Sequence, residues 1–312
     1  MAFGAIFQAP PHFQIAFDSY WRSNLAQQTN ESLAGTYWTQ DVDGESFRGD
    51  IIGNQNYAMS QITSRAGKAE PSDLPTAFWW VRPRGFDKTT WIDQFDHIKL
   101  GKLGDPTSSV NMQHSIAAQR QKDLINMVAL GGTRFIGPQG TTSQVLPTTG
   151  GPAGTGQTIA VTYGSGGANS GLQLAKLTQA SYILDGNNVA FDGRYFGYAP
   201  KELNNLITNV DEVNSVLYND VRALRAGRVR DFMGFEFKMS TLWPFSSGST
   251  TIRNCYAWQR NFLCMGVGQD VRATIDRLPQ QKNATQVYTC LLMDSTRVQD
   301  EGVVQVACDE SV

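Results

Sequence analysis

The most regular helical pattern of the sequence lies near its middle. Asp105 followed by Pro106 is an N-terminal capping signal, and Gly131 supplies a C-terminal stop. Between them, residues recur at helical spacing, namely Ile116, Arg120, Leu124, Met127 and Val128. The pattern predicts one helix from Pro106 to Leu130, about 37 Å long. We expect this helix to lie at the centre of the core, so that replacing Ile116 and Leu124 by Asp would abolish folding.

A second helical stripe lies close to the N-terminus. Aromatic and aliphatic residues recur every three or four positions there, namely Phe13, Phe17, Tyr20, Trp21 and Leu25. The face is apolar and requires a partner. Two hypotheses stay open: the helix docks on its own domain, or it is an arm that reaches another subunit.

Strand patterns follow on both sides of a loose segment. Residues 46–52, 78–82 and 90–100 are predicted to be strands of one extension, whose tip is rich in Gly, Pro and Ser. Trp91, Ile92 and Phe95 fall on both faces, which favours strands that are covered on both sides. Neighbouring molecules would be one source of that cover.

The second half of the chain mixes both kinds of element. Twelve of the thirty glycines lie in residues 131–171, which predicts a flexible or hairpin-like excursion. Helices are predicted over residues 172–184, 200–206 and 216–226, and strands over 194–198, 287–293 and 303–308, with Phe235 and Phe237 sharing one face of another strand. The last two strands are interpreted as a hairpin, which would bring Cys290 near Cys308, most simply as reduced thiols. The predicted fold class is α+β, without regular βαβ alternation.

Composition favours contact surface over catalysis. The 312 residues have a formal net charge of -2, which excludes the global positive field of a dedicated nucleic-acid binder. Three histidines contrast with seven tryptophans, ten tyrosines and sixteen phenylalanines. No apolar run is long enough to span a membrane, no secretory signal precedes the first elements, and the four cysteines lack CxxC spacing. We therefore expect a protein made in the cytoplasm, without a membrane partner.

The residues that resemble a chemical site are few. Asp93, Asp96 and His97 approach a metal-binding set, but on a strand only Asp93 and His97 share a face, so salt bridges or hydrogen bonds are favoured over a metal. The same interpretation applies to His114. No hydrolase, nucleotide-binding or calcium-binding motif is present in the sequence. The sequence predicts a protein that is not an enzyme and has no cofactor.

The densest basic cluster lies around the end of the predicted helix 216–226. It consists of Arg222, Arg225, Arg228 and Arg230. Cations are favourable near the end of a helix. The cluster is either a DNA-facing or interface patch that contacts phosphate, or a set of ion pairs with acidic neighbours.

The order of these elements resembles the major capsid proteins of tailed bacteriophages, which have the Hong Kong 97-like fold. Three stretches account for the likeness: residues 105–131 are similar to the family's spine helix, residues 184–200 to the entry into its axial domain, and residues 226–244 to a strand near the end of that domain. The polar Gly-rich insert is longer than expected for the family, and no built-in scaffold segment is recognisable.

The resemblance implies a division of the chain. Residues 1–44 would be an N-terminal arm, 45–100 an extended loop with adjoining peripheral-domain strands, and 101–171 the peripheral domain with the spine helix and Gly-rich excursion. Residues 172–253 would form the axial domain, and 254–312 its end together with the closing peripheral-domain strands. The extended loop would lap over the adjacent subunit, and the arm would tie capsomers together.

The resemblance also implies a function. The chain would self-assemble into pentamers and hexamers of an icosahedral shell that encloses double-stranded DNA, contacted non-specifically. Its partners would be a separate scaffolding protein, a portal protein and a decoration or cement protein, and it would reside in the virion after assembly in the host cytoplasm. An encapsulin-type compartment shell is the alternative.

Candidate contacts between subunits follow from the arm and the extension. They are Phe13, Phe17, Trp21, Trp79, Trp80, Arg82, Arg84 and Trp91. Aromatic and arginine side chains are enriched at the centres of protein interfaces. The extension is expected to have little core of its own, so that replacing Trp79 and Trp80 by Ala would impair assembly and leave folding intact.

Overall fold

A computed structural model describes residues 32–52, 76–92, 106–149, 156–209 and 231–311, together with residues 59, 61 and 65. In chain order, the strands of these residues are β1 (Trp38–Asp41), β2 (Phe47–Ile52), β3 (Thr76–Val81), β4 (Arg84–Ile92), β5 (Arg134–Ile136), β6 (Thr142–Gln144), β7 (Thr158–Ile159), β8 (Arg194–Tyr198), β9 (Asp231–Phe232), β10 (Phe235–Met239), β11 (Ile252–Gln259), β12 (Leu263–Leu278), β13 (Ala284–Arg297) and β14 (Val303–Asp309). The α-helices are α1 (Pro106–Gly131), α2 (Leu174–Gly186) and α3 (Pro200–Asn209), and short 3-10 turns span Arg260–Phe262, Pro279–Gln281 and Asp300–Gly302. None of the helices described has the length and apolar character needed to cross a membrane.

A six-stranded sheet organises the largest core. Its strand order is β7-β14-β11-β8-β10-β9, with α2 and α3 contributing apolar side chains to the same cluster. Phe235 and Phe237, predicted to share a face, are both buried and contact Phe196 of β8. The predicted strand 194–198 is confirmed, and so are helices at 172–184 and 200–206, apart from small shifts at their ends.

A four-stranded sheet of order β1-β12-β13-β4 supports the long helix α1. The predicted bounds of this helix are confirmed to within one residue. Its contact with the sheet is made by Ala118 and Ile125, which cluster with residues of β12 and β13. The predicted core position Leu124 is wrong, because it is 38% exposed, and Ile116 is only half-buried. Val128, at the same helical spacing, is 49% exposed. Helical spacing allowed more than one apolar face, and the sheet covers a different one.

A third sheet has the order β2-β3-β5-β6. The antiparallel pairing of β2 with β3 agrees with the predicted outgoing and returning strands of the extension. The predicted strand over residues 90–100 is described only at its start, since β4 ends at Ile92. Strands β5 and β6 form a hairpin within the Gly-rich excursion, in agreement with one of its two predicted forms.

The predicted C-terminal hairpin is wrong. Strand β13 pairs with β12 and β4, whereas β14 pairs with β11 and β7, so the two lie in different sheets. The turn at Asp300–Gly302 redirects the chain between the sheets. Cys308 consequently lies beside Cys255 in the six-stranded sheet, and Cys290 belongs to the other sheet. All four cysteines are free thiols.

A second apolar cluster joins α1 to the opposite face of β11. Its largest members are Trp243, Tyr256 and Trp258, which pack against Met127 and Leu130 of the helix. The indole Nε1 of Trp258 donates a hydrogen bond to the carbonyl oxygen of Thr36 at 3.0 Å. Strand β11 is therefore buried on both faces. The chain continues from it into β12, which belongs to the four-stranded sheet that supports α1.

Candidate functional site

Trp79 lies in the interior of its own chain. It is 4% exposed, and its ring lies 5.8 Å from that of Trp38 and 5.7 Å from that of Phe47. Gly49 on the paired strand makes room for it, because a Cβ there would lie 2.1 Å from the indole. The expectation that the extension has little core is therefore wrong at Trp79, which we remove from the candidate contacts between subunits.

Trp80 and Arg82 bind the β5–β6 hairpin of the same chain. The indole Nε1 of Trp80 donates to the carbonyl oxygen of Gly137 at 2.7 Å. Arg82 donates from Nη2 to the carbonyl oxygen of Gly140 at 2.8 Å, and its guanidinium lies 4.7 Å from the centre of the Phe135 ring. These two residues thus stabilise the third sheet, with Trp80 half-buried and Arg82 exposed.

Arg84 and Trp91 lie at the two ends of β4. Arg84 pairs with Asp294 of β13 at 3.0 Å, and its side chain is 63% exposed. Burial raises the pKa of the Asp294 carboxyl, and the nearby Arg84 opposes that shift. Trp91 is 59% exposed. An aromatic side chain this open at a strand end is a candidate anchor for a partner.

The strand register places Trp91 on the face of the four-stranded sheet that points away from α1. Directly opposed residues of antiparallel strands share a face. Three rows across β12, β13 and β4 define what we call the open face: Asp276, Gln286 and Trp91; Thr274, Tyr288 and Thr89; Arg272, Cys290 and Asp87. Each of these residues is exposed or half-buried. In the alternate rows, Val287 and Thr289 of β13 are buried on the helix side, whereas their β12 partners Ile275 and Ala273 are exposed.

His114 fixes α1 to that helix side. Its Nε2 lies 2.8 Å from the hydroxyl of Thr90 and its Nδ1 lies 3.0 Å from the hydroxyl of Thr289. The prediction that His114 makes hydrogen bonds is confirmed. Burial, helped by Lys88, lowers the pKa of the imidazole, so the neutral ring is favoured between the two hydroxyls.

Arg297 is a structural residue that sequence analysis did not identify. It is fully buried, and its Nη1 donates to the carbonyl oxygens of Ala129 and Leu130, each at 2.9 Å, at the end of α1. Its Nε donates to Asp300 at 2.9 Å, and Arg134 lies 3.2 Å from the same carboxylate. A cation is favourable at a helix C-terminus, but the pairing joins residues far apart in the sequence and leaves no local pattern.

A buried lysine and glutamate stabilise the six-stranded sheet. Lys176 donates from Nζ to the carbonyl oxygens of Ser170 at 2.7 Å, Ala307 at 2.9 Å and Val161 at 3.0 Å. Glu202 accepts a hydrogen bond from the backbone N–H of Leu172 at 2.7 Å. Burial lowers the pKa of Lys176 and raises that of Glu202. Both side chains are fully enclosed, so their role is structural.

Several predicted site residues lie outside the described part of the chain. They are Phe13, Phe17, Trp21, Asp93, Asp96, His97, Arg222, Arg225, Arg228 and Arg230. The predicted N-terminal helix and the helix over residues 216–226 also lie outside it. Among the residues that are described, no group of three His, Cys, Asp or Glu is arranged to hold a metal ion.

Several solved structures with a similar fold are phage capsids. The chain superimposes with a TM-score of 0.68 on a capsid structure of cyanophage P-SCSP1u, at 15% identity, covering 94% of this chain and 92% of the other. The acid-stable capsid of Helicobacter pylori bacteriophage KHP30 gives 0.68 at 10% identity and 99% coverage of both chains. The capsid of Ralstonia phage GP4 gives 0.64 at 13% identity, covering 99% and 98%. The similarity supports the Hong Kong 97-like fold that the order of elements implies.

The sequence comparison gives the family directly. No curated protein matches the chain significantly. The family described as phage capsid protein matches residues 9–310, nearly the whole sequence. The chain therefore belongs to the phage capsid protein family.

Proposed function

We propose that this capsid protein closes into pentamers and hexamers of an icosahedral head around double-stranded DNA, and that the open face is a contact with the neighbouring subunit. The observation that supports the contact is the 59% exposure of Trp91, which lies on the face of the sheet opposite to the one that packs against α1. Large exposed aromatic residues are favoured as anchors when a partner removes them from water.

The edge of the same sheet supports this contact. Among the described strands, β4 pairs only with β13, so its other edge presents unpaired backbone groups. Arg272 and Asp87, on either side of Cys290, provide charges of both signs next to the aromatic anchor. A second copy of the chain, which offers the same mixture of aromatic, polar and charged groups, is a suitable occupant.

The charge of the subunit fits a container for DNA. A net charge of -2 limits the phosphate contacts that each copy makes. Contact with the genome is then non-specific and local, and the cluster Arg222, Arg225, Arg228 and Arg230 is its candidate site. A separate scaffolding protein would direct closure, a portal protein would occupy one vertex, and a decoration protein would bind outside. Assembly would take place in the host cytoplasm.

Electron microscopy tests the proposal. The chain is expressed alone and with a candidate scaffolding protein, and the particles are imaged in negative stain. We expect closed shells with fivefold and sixfold capsomers, and nuclease-resistant DNA in particles from infected cells. Tubes, sheets or a small oligomer that never closes would contradict the proposal, and shells filled with a protein cargo would favour an encapsulin-type compartment.

A further inference from the structure

One ridge of the long helix α1 lacks cover within the described residues. It consists of Met112, Ile116, Arg120, Leu124 and Val128, spaced four apart. Met112 and Val128 are each 49% exposed and Leu124 is 38% exposed. Residues at i and i+4 form the ridges through which helices most often pack together. The helix therefore presents a packing surface next to the one that the sheet occupies.

The start of the described chain is fixed beside this ridge. Asp123, the neighbour of Leu124, accepts hydrogen bonds from the backbone N–H of Ser32 at 2.9 Å, the hydroxyl of Ser32 at 2.8 Å and the N–H of Leu33 at 3.0 Å. Leu33 is fully buried in a cluster that includes Met127 of the same helix. Ser32 is consequently held beside Asp123, in the C-terminal half of α1.

The preceding sequence has a matching ridge. Phe13, Phe17, Trp21 and Leu25 are also spaced four apart. Two such ridges interdigitate when helices cross at about -50°. The link from Leu25 to Ser32 reaches up to ~25 Å when extended, and the ridge from Met112 to Val128 is ~24 Å long. Every position on the ridge is therefore within reach of the segment.

We propose that residues 13–25 form a helix that docks on the Met112–Val128 ridge of their own chain. The tether at Asp123 gives the segment an effective concentration in the millimolar range, which favours its own helix over that of a neighbour. Arg120, at the centre of the ridge, makes no ion pair with any described residue. Asp18, the acidic residue of the segment, supplies the complementary charge.

Cysteine cross-linking of the full chain tests the proposal. Trp21→Cys and Leu124→Cys are combined with Cys290→Ser, since Cys290 is the natural thiol that is not buried. A short bismaleimide should join the two new thiols within one chain, seen as a linked peptide pair in monomeric protein. The matched control replaces Leu124→Cys by Ser115→Cys, which is exposed and nine positions away, on the other side of the helix. We expect no link there. Links only between chains, or no link at either position, would overturn the proposal.

Native proteolysis provides a second measurement that does not depend on new thiols. Trypsin cleaves after Arg22, inside the docking segment. Leu124→Asp and Val128→Asp should leave the fold intact, because both side chains are partly exposed, and should raise the cleavage rate at least ~10-fold by undocking the segment. Val145→Asp is the control, since Val145 is 66% exposed and lies outside the ridge. Equal cleavage rates in all four proteins would show that the segment does not dock there.

Discussion

The six-stranded sheet and the four-stranded sheet of order β1-β12-β13-β4 differ in how completely their own chain covers them. In β11 of the six-stranded sheet, the last six residues are all buried, because α2 and α3 lie on one side and the Trp243 cluster on the other. In β12 of the four-stranded sheet, the first four residues are buried, but most of the strand beyond Val267 is exposed. In the six-stranded sheet, β11 is therefore covered on both faces within a single subunit, whereas β12 is exposed on both faces over most of its length beyond Val267.

This difference indicates that the residues that stabilise the folded subunit and the residues that contact a neighbouring subunit lie in different parts of the molecule. Burial of large side chains within the chain contributes directly to the free energy of unfolding. An exposed aromatic residue contributes little until a neighbour covers it. We call the six-stranded sheet and the apolar clusters on its two faces the closed region. Substitutions there should lower the stability of the subunit, and substitutions on the open face should lower the yield of shells.

The largest expected effect is that of Trp258→Ala. Trp258 is fully buried, packs against Tyr195 and Trp243, and donates a hydrogen bond to Thr36. Its truncation should lower the free energy of unfolding by about 3–5 kcal/mol, measured by urea denaturation of the unassembled subunit. A loss below about 1 kcal/mol would mean that the closed region does not depend on this cluster.

A matched pair of tryptophans tests the comparison itself. Trp79→Ala should destabilise the subunit by about 3 kcal/mol or more, since Trp79 is 4% exposed. Trp91→Ala should change that stability by less than about 0.5 kcal/mol, since Trp91 is 59% exposed, yet reduce the yield of closed shells. Urea denaturation and particle counts by electron microscopy give the two values.

Opposite results for the pair would be decisive. If Trp91→Ala assembles as well as the unmodified chain, the open face is not a contact between subunits. If Trp79→Ala remains equally stable and fails only in assembly, the expectation drawn from the sequence was correct and the interior position of Trp79 has no energetic importance.

Local signals account for what the sequence predicted well. The helix from Pro106 begins at a proline and ends at a glycine, and the strand Arg194–Tyr198 lies between turn residues, so both were recognisable without knowledge of their partners. The buried face of the helix was not, because it is selected by distant residues: Thr289 binds His114, and Ser32 binds Asp123.

The same reason explains the two wrong predictions about strands. The assumed hairpin of β13 and β14 is separated by the turn that contains Asp300, whose partner Arg297 caps a helix more than 160 residues away in sequence. The interior position of Trp79 depends on Gly49, which the strand register places opposite it. Neither relation is visible in hydrophobic periodicity.

The smallest expected effect concerns the pH dependence of the closed region. Glu202 is fully buried, and burial raises the pKa of its carboxyl above the usual value. The folded state therefore keeps the Glu202 carboxyl protonated to a higher pH than the unfolded chain, in which a glutamate has a pKa of about 4.3. The stabilising contribution is complete below that pH and is lost as the pH rises through the raised pKa of the folded state.

Glu202→Gln isolates this contribution, because an amide oxygen still accepts the hydrogen bond from Leu172 but does not ionise. The free energy of unfolding of the unmodified chain should fall relative to that of the variant between about pH 4 and pH 7. Urea denaturation of both proteins at the two pH values measures the difference. A difference in the free energy of unfolding that stays constant with pH would contradict this expectation. It would mean that Lys176 and the backbone N–H of Leu172 compensate fully for the burial of the Glu202 carboxylate.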